Sequence, residues 1–302
     1  MTLQQKKQQT NTEGYFATAH STGGKEACRY MCCIYFIKLI LIPYFAIMQL
    51  LTLIIFKVNN CKMEGEAMFF FIHGWAATAE VWSGLFIPGE AYCYQSSLYP
   101  DYRHLEKTFH DVWHKQGKKL IVVGWSLGGM LSLQLAADHP DKVEKLILIS
   151  STARFTACEH YAAGLPSSIV KNLARKLAYE KWETQLGFYK LMFSPRENVC
   201  SDLFIRYTAP LFSAIELPAL QAGLRFLMEA DLRLLLPSIT VSCLVIHGTG
   251  DVICPPSAAQ YVVENLPDAA LAFIPDAGHI PFLTQPELIK RLIYTYVREN
   301  TL

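Results

Sequence analysis

The chain has 302 residues, of which 52% are hydrophobic and 18% are charged, and its formal net charge is +1. A chain of this length can form one or two domains with a large buried core, and the small net charge gives no electrostatic basis for binding nucleic acid. Nine cysteines are scattered without the spacing of a metal site. Their odd number and scatter favour a reducing compartment with mostly structural thiols over a disulfide framework.

The N-terminal part of the chain differs in character from the rest. Residues 1–25 are polar and lack apolar periodicity, which is typical of disorder. Residues 34–56 are strongly apolar, although Lys38 and a proline interrupt them, and the uncharged part at 39–56 just reaches the length of a membrane span. This run is open to two interpretations: a membrane anchor, or an upstream extension that precedes a true start at Met63.

A third interpretation concerns the end of the apolar run. Residues 50–58 have the composition of a β-strand, which could form a hairpin with the next strand of the core. We favour this interpretation for residues 50–62 and regard residues 1–49 as an incidental extension. Lys38 and the proline would weaken a spanning helix, so the sequence predicts a cytoplasmic protein, with a membrane anchor at residues 34–56 as the alternative.

The segment around Ser126 has the pattern of a nucleophile elbow. Residues 120–123 are apolar and mostly β-branched, which predicts a buried strand, and residues 130–140 predict a helix that its final proline ends. Gly-x-Ser-x-Gly stands between them, with Ser126 at its centre. The two glycines permit a sharp, strained turn that exposes the serine hydroxyl above a sheet, so Ser126 is a candidate nucleophile.

Two further polar residues follow predicted strands in the last third of the chain. Asp251 lies just past the predicted strand 244–247, and His279 lies in the loop after the next strand. The order Ser126, Asp251, His279 is the order of a Ser-Asp-His catalytic triad on an open α/β sheet. Asp276 is a rival acid, but its position in the same loop as His279 is more typical of a turn residue.

A strand predicted at residues 67–72 runs into the sequence His73-Gly-Trp75. In a fold with a nucleophile elbow, the loop after this strand supplies one amide of the oxyanion hole, and the residue after the serine supplies the other. The backbone N–H groups of Trp75 and Leu127 are therefore the candidate donors. We interpret His73 as a structural histidine that braces the loop, not as the catalytic base.

Strands and helices alternate along most of the chain, but residues 154–236 carry helix signals and no strand signal. The sequence predicts an α/β-hydrolase fold: a mostly parallel central sheet with helices on both faces and an inserted helical lid at 154–236. Residues 50–153 and 237–302 would form its core. The helices predicted in the lid are 168–179, 182–193, 201–212 and 217–229. Its basic residues, interpreted as a solvated face, are Lys171, Arg175, Lys176, Lys181 and Lys190.

Glu106, His110 and His114 recur at i, i+4 spacing on a helix predicted at residues 102–116. Such spacing could indicate a metal site, but no further ligand follows at the required spacing. We interpret these residues as a solvated helix face. The sequence predicts no metal site and no cofactor.

The sequence resembles the α/β-hydrolase superfamily from about residue 67 to the C-terminus. Within it, the chain resembles the pimeloyl-[acyl-carrier protein] methyl ester carboxylesterases of biotin synthesis. The stretches that carry this likeness are His73–Trp75, Ala79–Trp82, Gly124–Gly129, Ser150–Phe155, Asp231–Arg233 and Ala277–Phe282. The chain departs from the family at residues 94–100, where the usual Asp-x-x-Gly-x-Gly-x-Ser is replaced by Tyr-Gln-Ser-Ser-Leu-Tyr-Pro.

The resemblance implies a monomeric serine esterase that needs no cofactor and removes the methyl group from the distal carboxylate of a pimeloyl chain. It implies that Phe155, Trp75 and Leu127 line the acyl pocket or the oxyanion hole. It also implies an acyl carrier protein as partner, docked on basic lid residues such as Arg154, Arg175 and Lys176.

Other functions remain compatible with the same triad. They are a general short-chain carboxylesterase, a hydrolase of carbon–carbon bonds and a non-catalytic ligand-binding module that keeps the fold. An intact set of Ser126, Asp251 and His279 weighs against the binding module, since a receptor has no need of all three.

Overall fold

The computed structural model describes residues 67–85, 90–96 and 99–298. The extension expected at 1–49, the apolar run at 34–56 and the strand expected within 50–62 lie outside these residues. In the described part of the chain, six parallel strands form one sheet in the order β2-β1-β3-β4-β5-β6. The strands are β1 (Met68–Ile72), β2 (Glu90–Cys93), β3 (Leu120–Trp125), β4 (Val143–Ile149), β5 (Cys243–Gly248) and β6 (Ala269–Ile274).

The central strands are nearly continuous apolar runs. Every residue of β1, β3 and β5 is buried, whereas the edge strand β6 is only partly covered. A parallel strand has this pattern because helices cover both of its faces, so no position alternates towards water. The α/β class and the mostly parallel sheet predicted from the sequence are confirmed.

Nine α-helices occur among the described residues. They are α1 (Tyr102–Gln116), α2 (Leu127–Asp138), α3 (Ser167–Tyr179), α4 (Lys181–Leu191), α5 (Asn198–Leu203), α6 (Leu217–Glu229), α7 (Pro256–Asn265), α8 (Pro281–Thr284) and α9 (Pro286–Arg298). Helix α1 shows how local chemistry sets the ends. The Asp101 carboxylate caps its start by accepting the His104 N–H at 3.1 Å, and Gly117 ends it at φ 66°.

Between β4 and β5 the chain is helical and contains no strand, in residues that are all described. We call residues 154–236 the helical insertion. Its helices α3, α4 and α6 follow the predicted ranges closely, but the single helix expected at 201–212 is wrong. Helix α5 ends at Leu203, a wider helical turn spans Phe204–Thr208, and a 3-10 turn spans Ala209–Phe212. Pro210 explains the break, because it has no N–H and its ring crowds the preceding turn.

The helical insertion is tied to the loops at the carboxyl ends of the strands. The Tyr189 hydroxyl donates to the carbonyl oxygen of Ala76 at 2.6 Å, and the His279 N–H donates to that of Met192 at 2.7 Å. No helix in the described ranges is by itself long and apolar enough to cross a membrane. One pair, Pro195–Phe212 with Leu217–Glu229, meets that test together but bends by 112°.

Candidate active site

Ser126 lies on a sharp turn between β3 and α2, with φ 56° and ψ −122°. A Cβ atom on Gly124 would lie 2.3 Å from the Ser132 Oγ, and one on Gly128 would lie 2.2 Å from the Ile72 carbonyl oxygen. Neither position can accept a side chain without moving its neighbours. The two glycines therefore permit the close packing of strand, turn and helix that holds Ser126 in a left-handed conformation.

Three side chains from three different loops meet at this turn. The His279 Nε2 lies 2.9 Å from the Ser126 Oγ, and the His279 Nδ1 lies 2.7 Å from the Asp251 Oδ2. All three side chains are buried. Since a carboxylate can only accept, the Nδ1 carries the proton, which leaves Nε2 free to accept the hydroxyl proton of Ser126. The arrangement can activate a serine hydroxyl as a nucleophile.

The Asp251 carboxylate is fixed on its other side by the backbone. Its Oδ1 accepts the N–H groups of Ile253 and Cys254, both at 2.9 Å. This oxygen is therefore satisfied without the histidine, and Oδ2 is left to face His279. The backbone of the turn after β5 thus helps to orient the carboxylate independently of its contact with His279.

The rival acid Asp276 points away from the histidine. Its backbone has φ 61°, its side chain is exposed, and its carboxylate lies 3.1 Å from the Arg196 guanidinium. Its N–H donates to the Thr249 hydroxyl at 2.9 Å. Asp276 thus occupies the turn, and the structure places Asp251 rather than Asp276 against His279.

Three contacts, from β3 and from the helical insertion, help to hold the loop that carries His279. The Trp125 indole donates to the His279 carbonyl oxygen at 2.8 Å, and the Glu197 carboxylate accepts the Gly278 N–H at 2.8 Å. Met192 accepts the N–H of His279 itself. The helical insertion therefore supplies two of the three contacts, which couples its position to that of the histidine.

The loop after β1 lies directly against Ser126. A Cβ atom on Gly74 would lie 3.1 Å from the Cβ of Ser126. The next residue, Trp75, and the first residue of α2, Leu127, have backbone N–H groups that donate to no acceptor among the described residues. Both amides remain free to bind an oxygen that becomes negative beside Ser126.

The Trp75 side chain is an anchor between this loop and the helical insertion. Its indole N–H donates to the Leu220 carbonyl oxygen in α6 at 2.8 Å, and its ring meets the Phe188 ring edge-on at 4.6 Å. A Cβ atom on Gly223 would lie 2.4 Å from the Trp75 Cδ1. The roles of Phe188 and Gly223 could not be predicted, since nothing in the sequence of a helix indicates which distant loop the helix packs against.

His73 is buried beside the same loop. Its Nδ1 lies 2.9 Å from the Gly74 carbonyl oxygen, and its ring packs on Tyr99 at 4.4 Å. Burial lowers the pKa of His73 to about 4, so the ring is neutral at physiological pH. The ring braces the loop, and His279, not His73, contacts Ser126.

Phe155 is buried in the segment after β4, where its carbonyl oxygen accepts the Leu165 N–H at 2.9 Å. Among the described residues, no hydrogen bond or ring contact joins Phe155 to Ser126 or His279. Its place in an acyl pocket therefore stays a prediction.

The basic residues of the helical insertion differ in their environment. The Arg154 guanidinium lies 2.6 Å from the Asp231 carboxylate, which also binds Arg233 at 2.7 Å. Arg175 and Lys176 on α3 are exposed. Of the three predicted carrier contacts, Arg154 is thus already engaged in an ion-pair cluster, whereas the two α3 residues extend to solvent.

A cavity of about 370 Å³ lies beside the Trp75 loop. Trp75 and Ala76 line it from the core, and Leu211, Ile215 and Leu220 line it from the helical insertion. Its lining is mostly apolar, which is typical of a site that takes a hydrocarbon chain, but Ser126, His279 and Phe155 are not among its lining residues.

Around Glu106 the structure does not show the simple solvated helix face that the sequence predicts. His139, which follows α2, joins Glu106 and His110, and their ligand atoms lie within 4.8 Å of one another. However, the Glu106 carboxylate already pairs with His139 at 2.8 Å, and the Lys142 ammonium lies 3.1 Å from the His110 Nδ1. A cation at this point would compete with that ammonium, so we interpret the cluster as an ion pair beside a lysine–histidine hydrogen bond.

Comparison with known proteins extends these observations. The family described as "Alpha/beta hydrolase family" matches residues 69–292. The chain is 31% identical over 230 residues to the pimeloyl-[acyl-carrier protein] methyl ester esterase of Nitrosomonas europaea, covering 72% of this chain and 90% of that protein. It is 33% identical to the protein of the same name from Aromatoleum aromaticum, covering 75% of this chain and 96% of the relative.

Solved structures show the same fold. A bromoperoxidase from Bacillus anthracis superposes with a TM-score of 0.72 at 16% identity, covering 77% of this chain and 92% of that chain. An esterase from Exiguobacterium antarcticum superposes with a TM-score of 0.66 at 22% identity, with the same coverage of both chains. At these identities the likeness establishes the architecture alone.

Proposed function

The chain belongs to the alpha/beta hydrolase family, and from this premise we propose that it is a serine esterase that hydrolyses the methyl ester of pimeloyl-[acyl-carrier protein] in biotin synthesis. The observation that carries the proposal is the hydrogen-bonded chain from Ser126 through His279 to Asp251. The substrate is inferred from the relatives that bear this name and align over 90% or more of their length.

In the proposed first step, the Ser126 Oγ attacks the ester carbonyl carbon while the His279 Nε2 takes the hydroxyl proton. The Asp251 carboxylate orients the imidazole and stabilises its positive charge. The carbonyl oxygen becomes negative and accepts the N–H groups of Trp75 and Leu127; losing one such donor typically costs about 10²–10³ in kcat. Collapse of this intermediate transfers the His279 proton to the leaving methanol.

In the proposed second step, a water molecule gives a proton to the His279 Nε2 as its oxygen attacks the acyl-enzyme. The C–O bond to Ser126 then breaks, and His279 returns the proton to the Ser126 Oγ. The product keeps its link to the carrier and gains a free carboxylate at the distal end. Every proton moves through one imidazole, so the reaction needs no cofactor.

The helical insertion at 154–236 is proposed as the lid over this site. Its contacts to the His279 loop and to Trp75 support this role. Phe155 is proposed to border the acyl chain. The exposed Arg175 and Lys176 are proposed to meet the acidic carrier protein, and the enzyme is proposed to act as a monomer.

The test is an assay of methyl pimeloyl-carrier protein against free methyl esters of short acids. The proposal expects a clear preference, in kcat/KM, for the carrier-borne ester. The double variant Arg175→Glu with Lys176→Glu should raise KM for that substrate and leave free dimethyl pimelate unaffected. Equal kcat/KM for carrier-borne and free esters would instead indicate a general carboxylesterase, and no turnover of any ester would contradict the proposal.

A cytoplasmic location is proposed on the ground that the inferred substrate is carried by a water-soluble protein. Fractionation of cells that express the full-length chain tests it. Recovery in the soluble fraction is the expected result. Recovery only in membranes, resistant to carbonate extraction, would contradict it.

A further inference from the structure

His247 is a buried histidine for which the triad chemistry gives no role. It lies on β5, four residues before Asp251, and its side chain is fully buried. A histidine is an unusual choice for an interior strand position, since its two ring nitrogens must find partners there.

The ring contacts the Asp251 turn at two points. Its Nε2 lies 2.8 Å from the Cys254 carbonyl oxygen and 3.3 Å from the Asp251 Oδ2. Both neighbours are acceptors, so Nε2 carries a proton. It donates this proton to the Cys254 carbonyl oxygen, and its contact with the Asp251 carboxylate is electrostatic. The contact to Asp251 reaches the same oxygen that binds His279.

The other ring nitrogen of His247 is a buried polar atom whose lack of a partner lowers the stability of the fold. The His247 Nδ1 is buried, with no hydrogen-bond partner among the described residues. Burial lowers the pKa of His247, so the ring is neutral and Nδ1 is an acceptor without a donor. An apolar side chain would fill the same space without this unsatisfied atom, which implies that the Nε2–H serves a purpose.

We propose that His247 is a positioning residue for the triad: its Nε2–H donates to the Cys254 carbonyl oxygen and, from that position, attracts the Asp251 Oδ2 at 3.3 Å, which helps to aim the carboxylate at His279. The inference rests on the proposed function, because it assigns His247 a role through Asp251. The groups that face the ring and can titrate are Asp251, His279 and the Cys254 thiol, and burial raises the pKa of that thiol.

The test compares two substitutions in the full-length protein. His247→Gln keeps an N–H near the position of Nε2, and His247→Leu removes it at similar volume. We expect His247→Leu to lower kcat about tenfold with KM nearly unchanged, because it removes both the hydrogen bond to the Asp251 turn and the electrostatic contact with the carboxylate. His247→Gln should stay within about threefold of the wild type.

A double-mutant cycle separates positioning from general damage. In an Asp251→Asn background, His247→Leu should cause no further loss of kcat, because the residue through which it acts is already impaired. An additional tenfold loss in that background would overturn the proposal. Equal losses of kcat for His247→Gln and His247→Leu would also overturn it, since the retained N–H would then have no effect on kcat.

A second measurement does not depend on turnover. The proton on the His279 Nδ1 can be followed by NMR as a resonance of the bond to Asp251. We expect His247→Leu to shift this resonance and His247→Gln to leave it near the wild-type position. If no ester is hydrolysed, the proposed function is wrong, but the position of this resonance still tests the role of His247. An unchanged resonance in His247→Leu would overturn the role, and a shifted one would support it.

Discussion

Trp125 and His279 are joined by a hydrogen bond from the indole N–H to the histidine's carbonyl oxygen, at 2.8 Å. Trp125 directly precedes Ser126, the proposed nucleophile, and His279 is the proposed base. Through this bond the strand that presents Ser126 also fixes the loop that presents the imidazole. The distance between Oγ and Nε2 therefore depends on a side chain that takes no part in the chemistry.

Replacing Trp125 tests this dependence. Trp125→Phe removes the donor and leaves a buried carbonyl oxygen without a partner, which should lower the free energy of unfolding by about 1–3 kcal/mol beyond the loss of ring area. It should also lower kcat, because the His279 loop is released. Urea denaturation and ester hydrolysis measure the two effects.

Trp82→Phe is the matched control for that substitution. Trp82 is also buried, but its indole N–H has no partner among the described residues, so its removal breaks no hydrogen bond. We expect a smaller loss of stability and an unchanged kcat. A loss of stability as large as that of Trp125→Phe would show that ring area, not the hydrogen bond, sets the cost.

The identity of the acid can be decided by two aspartate substitutions. Asp251→Asn should lower kcat by about 10⁴, since an amide at this position favours the wrong imidazole tautomer. Asp276→Asn should leave kcat within about threefold, because that carboxylate is exposed beside Arg196. A larger loss for Asp276→Asn than for Asp251→Asn would contradict the assignment.

Two glycines in the helical insertion give a matched pair. Gly223→Ala would place a Cβ atom 2.4 Å from the Trp75 ring, and the ring and its loop must move. We expect lower stability and lower kcat. Gly187→Ala in α4 meets no atom within 4 Å, so it should stabilise the protein by about 0.5–1 kcal/mol through helix propensity. Thermal unfolding and ester hydrolysis of both variants would show whether the Trp75 anchor matters.

Stability should fall as the solution is acidified from about pH 6.5 to pH 4. Burial lowers the pKa of His73 from 6.5 to about 4, so in this window the unfolded chain binds a proton that the folded chain does not. The shift corresponds to roughly 3 kcal/mol of stability that is present above the unfolded pKa and lost as pH falls. Urea denaturation across this range measures it.

His73→Phe is the control for the pH dependence, because it keeps a ring at the site and removes the titrating group. Its stability should vary less with pH between 4 and 6.5 than that of the wild type. An equal slope in both proteins would mean that His73 does not carry the effect, and His247, whose pKa burial also lowers, would be the next residue to replace.

The elements that local chemistry determines could be predicted from the sequence. The strand Met68–Ile72 lies within one residue of its predicted bounds and the helix Tyr102–Gln116 has them, because the first is a continuous apolar run and the second has Asp101 and Gly117 at its ends. The nucleophile elbow could also be predicted, because the sharp turn at Ser126 requires the two glycines beside it. Chain order then paired the serine with Asp251 and His279, which the structure brings together.

Contacts between distant segments could not be predicted in this way. The Trp75 indole reaches Leu220, 145 residues away, and the Trp125 indole reaches His279, 154 residues away. The sequence around each partner is an ordinary helix or loop. From the sequence, His247 could be recognised only as part of a predicted strand. Its spacing of four residues from Asp251 could have indicated that both residues lie near the carboxyl end of β5.

The central claim is that Ser126 is an activated nucleophile, and reaction with a fluorophosphonate probe tests it most directly. Mass spectrometry of the wild-type protein should locate one covalent adduct on Ser126. Ser126→Ala should give none, and Asp276→Asn should react as fast as the wild type. No adduct, or an adduct on another serine, would contradict the account.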